Sequence, residues 1–127
     1  MNAGAQGCAA ASVPSTAMDG DYTPQQLQER LTRGEVQLID VRQRYEHEAG
    51  RIAGDQLIEL ADLQAQAGAI VTDRPVVLYC LSGGRSAWAT SALRASGFDA
   101  HNLAGGILAW VAAGLPIEPL DGRIIDH

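Results

Sequence analysis

A cysteine followed at once by a glycine-containing loop is the stretch of this sequence best suited to chemistry. Cys80 comes after the four apolar or aromatic residues Val76–Tyr79, and it precedes the loop Leu81-Ser82-Gly83-Gly84-Arg85-Ser86. The apolar run predicts a buried strand, and residues 86–96 predict a helix that is closed by Gly97. A loop between a strand and a helix N-terminus gathers backbone amides, and the helix dipole adds roughly half a positive charge. We therefore expect an anion-binding loop that begins at the cysteine.

The position of Cys80 favours an ionised thiol. A free cysteine with a pKa of about 8.5 is only about 3% thiolate at neutral pH, whereas helix N-termini and nearby cations lower that pKa to about 3.5–7.5. The expected sources of this effect are the loop amides, the hydroxyl of Ser82 or Ser86, and Arg85. A cysteine that ends a core strand is often only a small buried hydrophobe. The two glycines, the arginine and the serine that follow it favour a nucleophile instead.

Four stretches of the chain resemble the motifs of single-domain rhodanese sulfurtransferases. Residues 80–86 resemble the active-site loop of that family. The other three stretches are residues 38–42 with Glu46, residues 50–54, and residues 102–110. Together they extend the resemblance over about residues 21–118, nearly the whole chain.

The resemblance implies a sulfurtransferase with Cys80 as its catalytic residue. The thiolate would take the outer sulfur of a donor such as thiosulfate, hold it as a persulfide and pass it to a thiol or to cyanide. The loop residues Leu81, Ser82, Gly83, Gly84, Arg85 and Ser86 would bind the substrate, with Arg85 on its oxyanion. The resemblance further implies that Asp40, Arg42 and Glu46 support the loop. It requires no metal and no organic cofactor, and the partners would be a small anionic sulfur donor and a thiol or protein acceptor.

One residue of the loop departs from the family pattern. Many loops of the family carry a basic residue directly after the cysteine, whereas this chain has Leu81. Without that charge we expect thiosulfate to be a mediocre donor, so that an organic or protein-bound persulfide becomes the candidate donor. A Leu81→Arg variant is then expected to lower the KM for thiosulfate.

Other functions fit parts of the same pattern. Cysteine phosphatases, some with this fold, place five residues between cysteine and arginine, whereas four separate Cys80 from Arg85. A loop that is one residue shorter has fewer amides for a phosphoryl group with three oxygens, and the phosphatase and arsenate reductase alternatives are therefore less favoured. A non-catalytic interaction domain also stays open, although such domains usually lose the cysteine.

Length and composition indicate a single globular domain. The chain has 127 residues, of which 46% are hydrophobic and 19% are charged, which is enough apolar material for a core. A net charge of −6 without a Lys/Arg cluster argues against nucleic acid or an anionic membrane as a partner. The sequence lacks both a run of 18 apolar residues and a secretory signal pattern. Two cysteines, Cys8 and Cys80, form no disulfide framework, so we expect a cytoplasmic protein.

Strands alternate with helices along the sequence, which predicts an α/β fold with a mostly parallel sheet and helices on both faces. The rhodanese resemblance implies five strands in a three-layer domain. Strands are expected over residues 36–41, 56–58, 76–79 and 98–103, and helices over residues 24–33, 59–67 and 86–96, with a last helix between Gly106 and Gly114. Ligands of such sheets lie outside the carboxyl ends of the strands, which is where Cys80 is expected.

The ends of the chain are expected to lie outside this domain. Residues 1–20 contain almost no large apolar side chain and predict a flexible tail, because they cannot offset their ordering entropy. The domain itself is expected over residues 21–118, and residues 119–127 form a C-terminal arm.

Some side chains have a structural interpretation only. Arg42 and Glu46 are four residues apart, which is also typical of an exposed ion pair on a helix. His47 lies between two glutamates, but three consecutive residues of a helix cannot face one metal ion, so no metal site is predicted. Trp88 and Leu93 are expected on the buried side of the helix that follows the loop.

Overall fold

The computed structural model of the chain describes residues 21–125. Its strands are β1 (Asp21–Tyr22), β2 (Gln37–Asp40), β3 (Gln56–Leu57), β4 (Val76–Tyr79) and β5 (Ala100–Leu103). They form one five-stranded sheet in the order β1-β5-β4-β2-β3, and every neighbouring pair is parallel. The predicted α/β fold with a parallel sheet is confirmed. The tail expected over residues 1–20 lies outside the described residues.

The described residues form four α-helices: α1 (Pro24–Thr32), α2 (Arg44–Ala49), α3 (Gly84–Ala95) and α4 (Gly106–Ala112). The first three connect strands, and α4 follows β5. α1 begins at a capping box in which the Thr23 hydroxyl accepts from the Gln26 amide at 3.1 Å and the Gln26 side chain accepts from the Thr23 amide at 2.9 Å. α3 begins two residues before its predicted start, because Gly84 is already helical. Within residues 21–125, no helix is long and apolar enough to cross a membrane.

The two faces of the sheet bury different apolar clusters, which gives the predicted three layers. Val77 and Tyr79 of β4 point to the face that α1 and α4 cover through Leu27 and Trp110. Val76, Leu78 and Cys80 belong to the opposite cluster, which α3 covers through Ala89 and Leu93. The alternation of a strand therefore places the cysteine on the α3 side of the sheet.

The prediction of a helix over residues 59–67 is wrong. Two short 3₁₀ turns, Leu60–Asp62 and Ala67–Ala69, replace it. The Leu60 amide donates to the Val41 carbonyl at 3.1 Å, and at the far end of the segment Gln37 and Val71 exchange two hydrogen bonds of 2.7 and 3.2 Å. These contacts hold both ends of the segment against the sheet, and such tertiary contacts override a weak helix preference.

The expected burial of Trp88 is also wrong, since 64% of the residue is exposed. The buried residues of α3 are Ser86, Ala89, Thr90 and Leu93, which lie on one face at helical spacing. Ser86 is bound to the cysteine loop, as described below, and this contact fixes the rotation of the helix. The tryptophan is therefore turned outward, although Leu93 is buried as expected.

The C-terminal segment packs against the loop that follows α2. Arg51 and Glu118 exchange backbone hydrogen bonds of 2.9 and 2.7 Å, and the Arg123 amide donates to the Ala49 carbonyl at 2.8 Å. Ile117 and Ile124 pack against the α1–α4 cluster. The part of the arm up to residue 125 is therefore in contact with the domain.

Candidate active site

The sulfur of Cys80 lies inside a ring of hydrogen-bond donors from its own loop. Its Sγ accepts from the Gly83 amide at 3.1 Å, from the Ser86 amide at 3.4 Å and from the Ser86 hydroxyl at 3.3 Å. Ser86 belongs to the first turn of α3, so the sulfur lies at a helix N-terminus where unpaired amides favour negative charge. The loop predicted from the sequence is thus folded around the thiol.

These donors change the acidity of the thiol. Burial by itself would raise the pKa of Cys80, but hydrogen bonds from the hydroxyl and amide of Ser86 and from the amides of Gly83 and Ser82 outweigh it, and the pKa is lowered. The largest single opposing contribution comes from the Ser86 hydroxyl. A thiolate is the nucleophilic form of cysteine, so this arrangement favours the reactive species.

The Ser86 hydroxyl has a second acceptor, Asn102 of β5. Its Oγ lies 2.6 Å from Asn102 Oδ1, while Asn102 Nδ2 donates to the Gly83 carbonyl at 3.3 Å. A hydroxyl carries one proton, so Asn102 and the sulfur compete for it. Sequence reasoning missed Asn102. The available signal was an amide side chain within the strand predicted over residues 98–103.

The N-terminus of α4 holds the loop from behind. The Ile107 amide donates to the Cys80 carbonyl at 3.0 Å, and the Leu108 amide donates to the Leu81 carbonyl at 3.2 Å. This close approach requires glycine at position 106, where φ is +63° and a Cβ would lie 2.6 Å from the Cys80 carbonyl oxygen. Gly106, the first residue of α4, is thus part of the site.

Arg85 is bound by a buried carboxylate of α2. Its Nη1 and Nη2 donate to the two carboxylate oxygens of Glu46, each at 3.0 Å. Burial is the largest single influence and would raise the pKa of Glu46, but the hydrogen bonds from Arg85 and the Gln43 amide, together with the charges of Arg85 and Arg42, outweigh it and the pKa is lowered. The Glu46 hydrogen bond in turn raises the pKa of Arg85. Glu46 therefore anchors the loop arginine in a paired, charged state.

Asp40 and Arg42 form a separate buried pair. Nε of Arg42 lies 2.9 Å from Asp40 Oδ1, Nη2 lies 2.8 Å from Oδ2, and Nη2 also donates to the Gly50 carbonyl at 2.7 Å. The alternative interpretation of Arg42 and Glu46 as an exposed ion pair is therefore wrong, since both residues are buried. α2 begins at Arg44, after Arg42, so helical i, i+4 spacing does not apply to these two residues.

A cluster of three polar residues, Tyr79, Asp55 and His47, lies next to this pair and was not predicted from the sequence. The Tyr79 hydroxyl donates to Asp55 Oδ2 at 2.6 Å, and His47 Nδ1 lies 3.0 Å from Asp40 Oδ2 and 3.5 Å from Asp55 Oδ2. Burial is the main cause that raises the pKa of Asp55 to about 6. One signal was available, because a tyrosine in a buried strand needs a hydrogen-bond partner.

Together with Asp40, this polar cluster contains three residues whose side chains could bind a metal ion, with ligand atoms within 4.8 Å of one another: Asp40, His47 and Asp55. Arg42 and Tyr79 already donate to the two carboxylates, however, and the guanidinium supplies the positive charge that a metal ion would bring. The cluster is therefore satisfied as an internal hydrogen-bond network.

Leu81 is only 6% exposed and belongs to the apolar cluster under α1 and α4. A Leu81→Arg substitution would bury a guanidinium there, which is costly without a partner. It therefore would not isolate the effect of charge on thiosulfate binding. The neighbouring Ser82 is exposed, and it is the better position for that test.

Comparisons with known proteins agree with this fold. The rhodanese-like domain family matches residues 23–113. A sulfurtransferase from Allochromatium vinosum is 36% identical over 107 residues, covering 83% of this chain and 100% of the relative. The HTH-type transcriptional regulator Rv0324 of Mycobacterium tuberculosis is 35% identical over 122 residues, covering 94% of this chain and 52% of the regulator. The solution structure of the rhodanese-like domain of the Alr3790 protein from Anabaena has a TM-score of 0.73, with 27% identity and 87% coverage of each chain.

The parallel sheet with a cysteine loop at the carboxyl end of its central strand defines a rhodanese-like α/β domain. The chain belongs to the rhodanese-like domain family, as its motifs predicted. Its sulfurtransferase relatives support an enzyme of the sulfurtransferase kind. The chain spans about half the length of the transcriptional regulator Rv0324. The regulatory role in the name of that protein is therefore not assigned to this chain.

Proposed function

We propose that the chain carries sulfane sulfur as a persulfide on Cys80, taken from an anionic donor such as thiosulfate and given to a thiol acceptor. The observation that supports this most directly is the convergence of two amides and one hydroxyl on Sγ at 3.1–3.4 Å. Such fixed donors stabilise a negative sulfur at no reorganisation cost during the reaction.

In the first half-reaction, the Cys80 thiolate attacks the outer sulfur of thiosulfate. A new S–S bond forms at Sγ, the S–S bond of the donor breaks, and sulfite leaves with the electron pair. The persulfide is anionic, and the amides of Gly83 and Ser86 are the nearest donors to its inner sulfur. The positive N-terminus of α3 also favours an incoming anion.

In the second half-reaction, a thiolate acceptor attacks the outer sulfur, and Cys80 leaves as the thiolate. A low pKa makes a sulfur a better leaving group, so the same hydrogen bonds that ionise Cys80 in the first step assist its release in the second. A two-step transfer through a covalent intermediate gives ping-pong kinetics.

Arg85 and Glu46 position the loop in this proposal. Both Nη atoms of Arg85 donate to Glu46, and this pairing ties the beginning of α3 to α2. Because 22% of the arginine side chain is still exposed, the guanidinium adds positive potential beside the loop while its orientation is fixed.

Mass spectrometry of the intact protein after incubation with thiosulfate tests the proposal. We expect an adduct of about 32 Da, one sulfur atom as a persulfide, which cyanide or a thiol removes and which a Cys80→Ser variant does not form. A protein without this adduct would contradict sulfur transfer. Hydrolysis of p-nitrophenyl phosphate by such a protein would support the phosphatase alternative instead.

A further inference from the structure

An apolar groove of about 770 Å³ runs along the outside of α3. One wall is the exposed side of that helix, and the other is the segment with the two 3₁₀ turns. Its apolar lining includes Trp88, Ala92, Leu93, Leu60, Leu63 and Ala67, and none of its lining residues is charged. Ligand sites for small organic molecules typically have volumes of about 300–1,000 Å³ and mostly apolar walls.

The groove continues to the cysteine loop. A second cleft of about 500 Å³ lies beside Arg85, with Val41, Gln43 and Glu59 in its lining, and it shares Leu60 and Ala61 with the groove. Val41 also packs in the same apolar cluster as Cys80. Polar and charged groups therefore line the end next to the loop, and only uncharged groups line the end at Trp88.

Trp88 is a large apolar residue of this groove that is not buried by packing within the described residues. The residue is 64% exposed, and it lies three residues after Arg85, about one turn along the helix. Large exposed aromatic side chains often mark binding sites, because they offer a wide and rigid apolar contact. The concave shape and small volume of the groove suit a small molecule better than a protein, whose interface needs about 800 Å² on each side.

We propose that this groove binds the organic body of the thiol acceptor, and that Trp88 selects acceptors with an aromatic or branched apolar group near their sulfur. The inference rests on the persulfide function proposed above. The acceptor thiolate enters at the charged end beside Arg85, and its apolar body lies against the indole. Its sulfur attacks the outer sulfur of the persulfide, the S–S bond to Cys80 breaks, and the electron pair returns to Sγ as the thiolate. The acceptor leaves as an organic persulfide.

Discharge of a preloaded persulfide tests the selection. The protein is loaded with thiosulfate, freed of excess donor, and treated with benzyl mercaptan or with cyanide, which has no organic body. A Trp88→Ala variant is expected to react about tenfold more slowly with benzyl mercaptan, the loss of one aromatic contact, and at the unchanged rate with cyanide. Trp88→Phe retains most of the rate. The control is Val111→Ala, an exposed apolar residue of α4 outside the groove. Equal rates with benzyl mercaptan in wild type and Trp88→Ala would overturn the proposal.

A binding measurement keeps this inference separate from the proposed function. Benzyl methyl sulfide has the same body but cannot accept sulfur, and the chain has two tryptophans with two indole N–H signals in an NMR spectrum. We expect a saturable shift of the Trp88 signal. The signal of Trp110, which is buried and donates to the Pro116 carbonyl, stays in place. Loading that fails while Trp88 shifts would contradict only the persulfide function, and a Trp88 signal that does not move would contradict the groove.

Discussion

The thiol of Cys80 is 1% exposed, and its pKa is nevertheless lowered. A buried thiol among apolar groups would show the opposite shift. The difference comes from the few donors that point at Sγ, above all Ser86. At the scale of the residue, then, the hydrogen bonds of one loop decide whether this cysteine is a nucleophile or part of the core.

Competition for the Ser86 proton predicts opposite effects of two substitutions. Ser86→Ala removes a donor to Sγ and should raise the pKa of Cys80, which lowers its alkylation rate at pH 7 several-fold. Asn102→Leu removes the competing acceptor without emptying the space, so the hydroxyl turns to the sulfur and the pKa should fall further. The pH dependence of alkylation by iodoacetamide measures both.

Ser82→Ala is the control for this pair. Ser82 acts on the sulfur through its amide, which the substitution retains, so the pH profile of alkylation should stay that of the wild type. A shift in the same direction for Ser86→Ala and Asn102→Leu would contradict the competition.

A cation at position 82 should improve the use of thiosulfate. The side chain of Ser82 is exposed next to the anion-binding loop, so Ser82→Lys adds positive charge without disturbing the core. Exposed charge pairs contribute about 0.2–1 kcal/mol, which corresponds to a KM lowered by a factor of about 1.4 to 5. Steady-state kinetics with thiosulfate measures the change, and Ser82→Glu should shift KM the other way. A KM that is insensitive to both charges would remove the argument drawn from Leu81.

The sequence was sufficient to predict the cysteine and its loop but not the residues around them. Cys80, Gly83 and Ser86 are close in the chain, and strand, loop and helix signals place them together. Asn102 and Asp55 reach the site from other strands or loops, and only the register of the sheet brings them there. One sequence carries no signal for that register beyond the order of its apolar runs.

At the scale of the elements, two helix N-termini meet at the loop. α3 supplies donors to the sulfur, and α4 supplies donors to the carbonyls of Cys80 and Leu81. The loop therefore has its amides turned to the thiol and its carbonyls turned to a helix. This opposite orientation requires backbone contact, which glycine alone permits at position 106.

Gly106→Ala should therefore damage both stability and sulfur transfer. Its Cβ would collide with the carbonyls of Cys80 and Leu81, and a non-glycine residue at positive φ adds strain, so we expect a loss of about 2 kcal/mol or more in the free energy of unfolding. Chemical denaturation and the persulfide assay measure the two effects. Gly68→Ala is the matched control, since a Cβ at Gly68 meets no atom within 4 Å. Equal behaviour of the two variants would contradict the account of α4.

The elements also show where sequence patterns compete with contacts. The spacing of Leu60, Leu63 and Ala67 fits a helix, but one end of the segment is bonded to Val41 and the other to Gln37 of β2, and the segment forms 3₁₀ turns. Hydrophobicity predicts Trp88 inside, but the bond of Ser86 to the sulfur rotates α3 the other way. In both places a contact made by a distant or functional residue outweighs the local preference.

At the scale of the whole molecule, two buried carboxylates should make stability depend on pH in opposite ways. The pKa of Glu46 is lowered, so its contribution is present above the unfolded value of 4.5 and is lost as the pH falls. The pKa of Asp55 is raised from 3.8 to about 6, so stability is lost as the pH rises from about 4 to 6. Urea denaturation is therefore expected to show greatest stability near pH 4, with a decline toward pH 6.

Asp55→Asn should remove the second of these effects. The raised pKa corresponds to a cost of about 3 kcal/mol at neutral pH, and the amide still accepts from the Tyr79 hydroxyl, so we expect a gain of about 1–2 kcal/mol at pH 7 and little change at pH 4. Asp62→Asn, at an exposed position, is the control and should leave the curve of stability against pH unaltered. If the variant is less stable than the wild type at pH 7, ionised Asp55 does not destabilise the fold.

The contacts that α4 and Asn102 make with the loop imply an order of events during synthesis. Cys80 leaves the ribosome more than twenty residues before Asn102 and Gly106, and until those residues follow, the carbonyls of Cys80, Leu81 and Gly83 lack the donors that hold the loop. A nascent chain that ends before β5 would therefore carry an ordinary thiol. The reactive sulfur arises only when the last strand and helix have joined the sheet, so an unfinished chain is spared its chemistry.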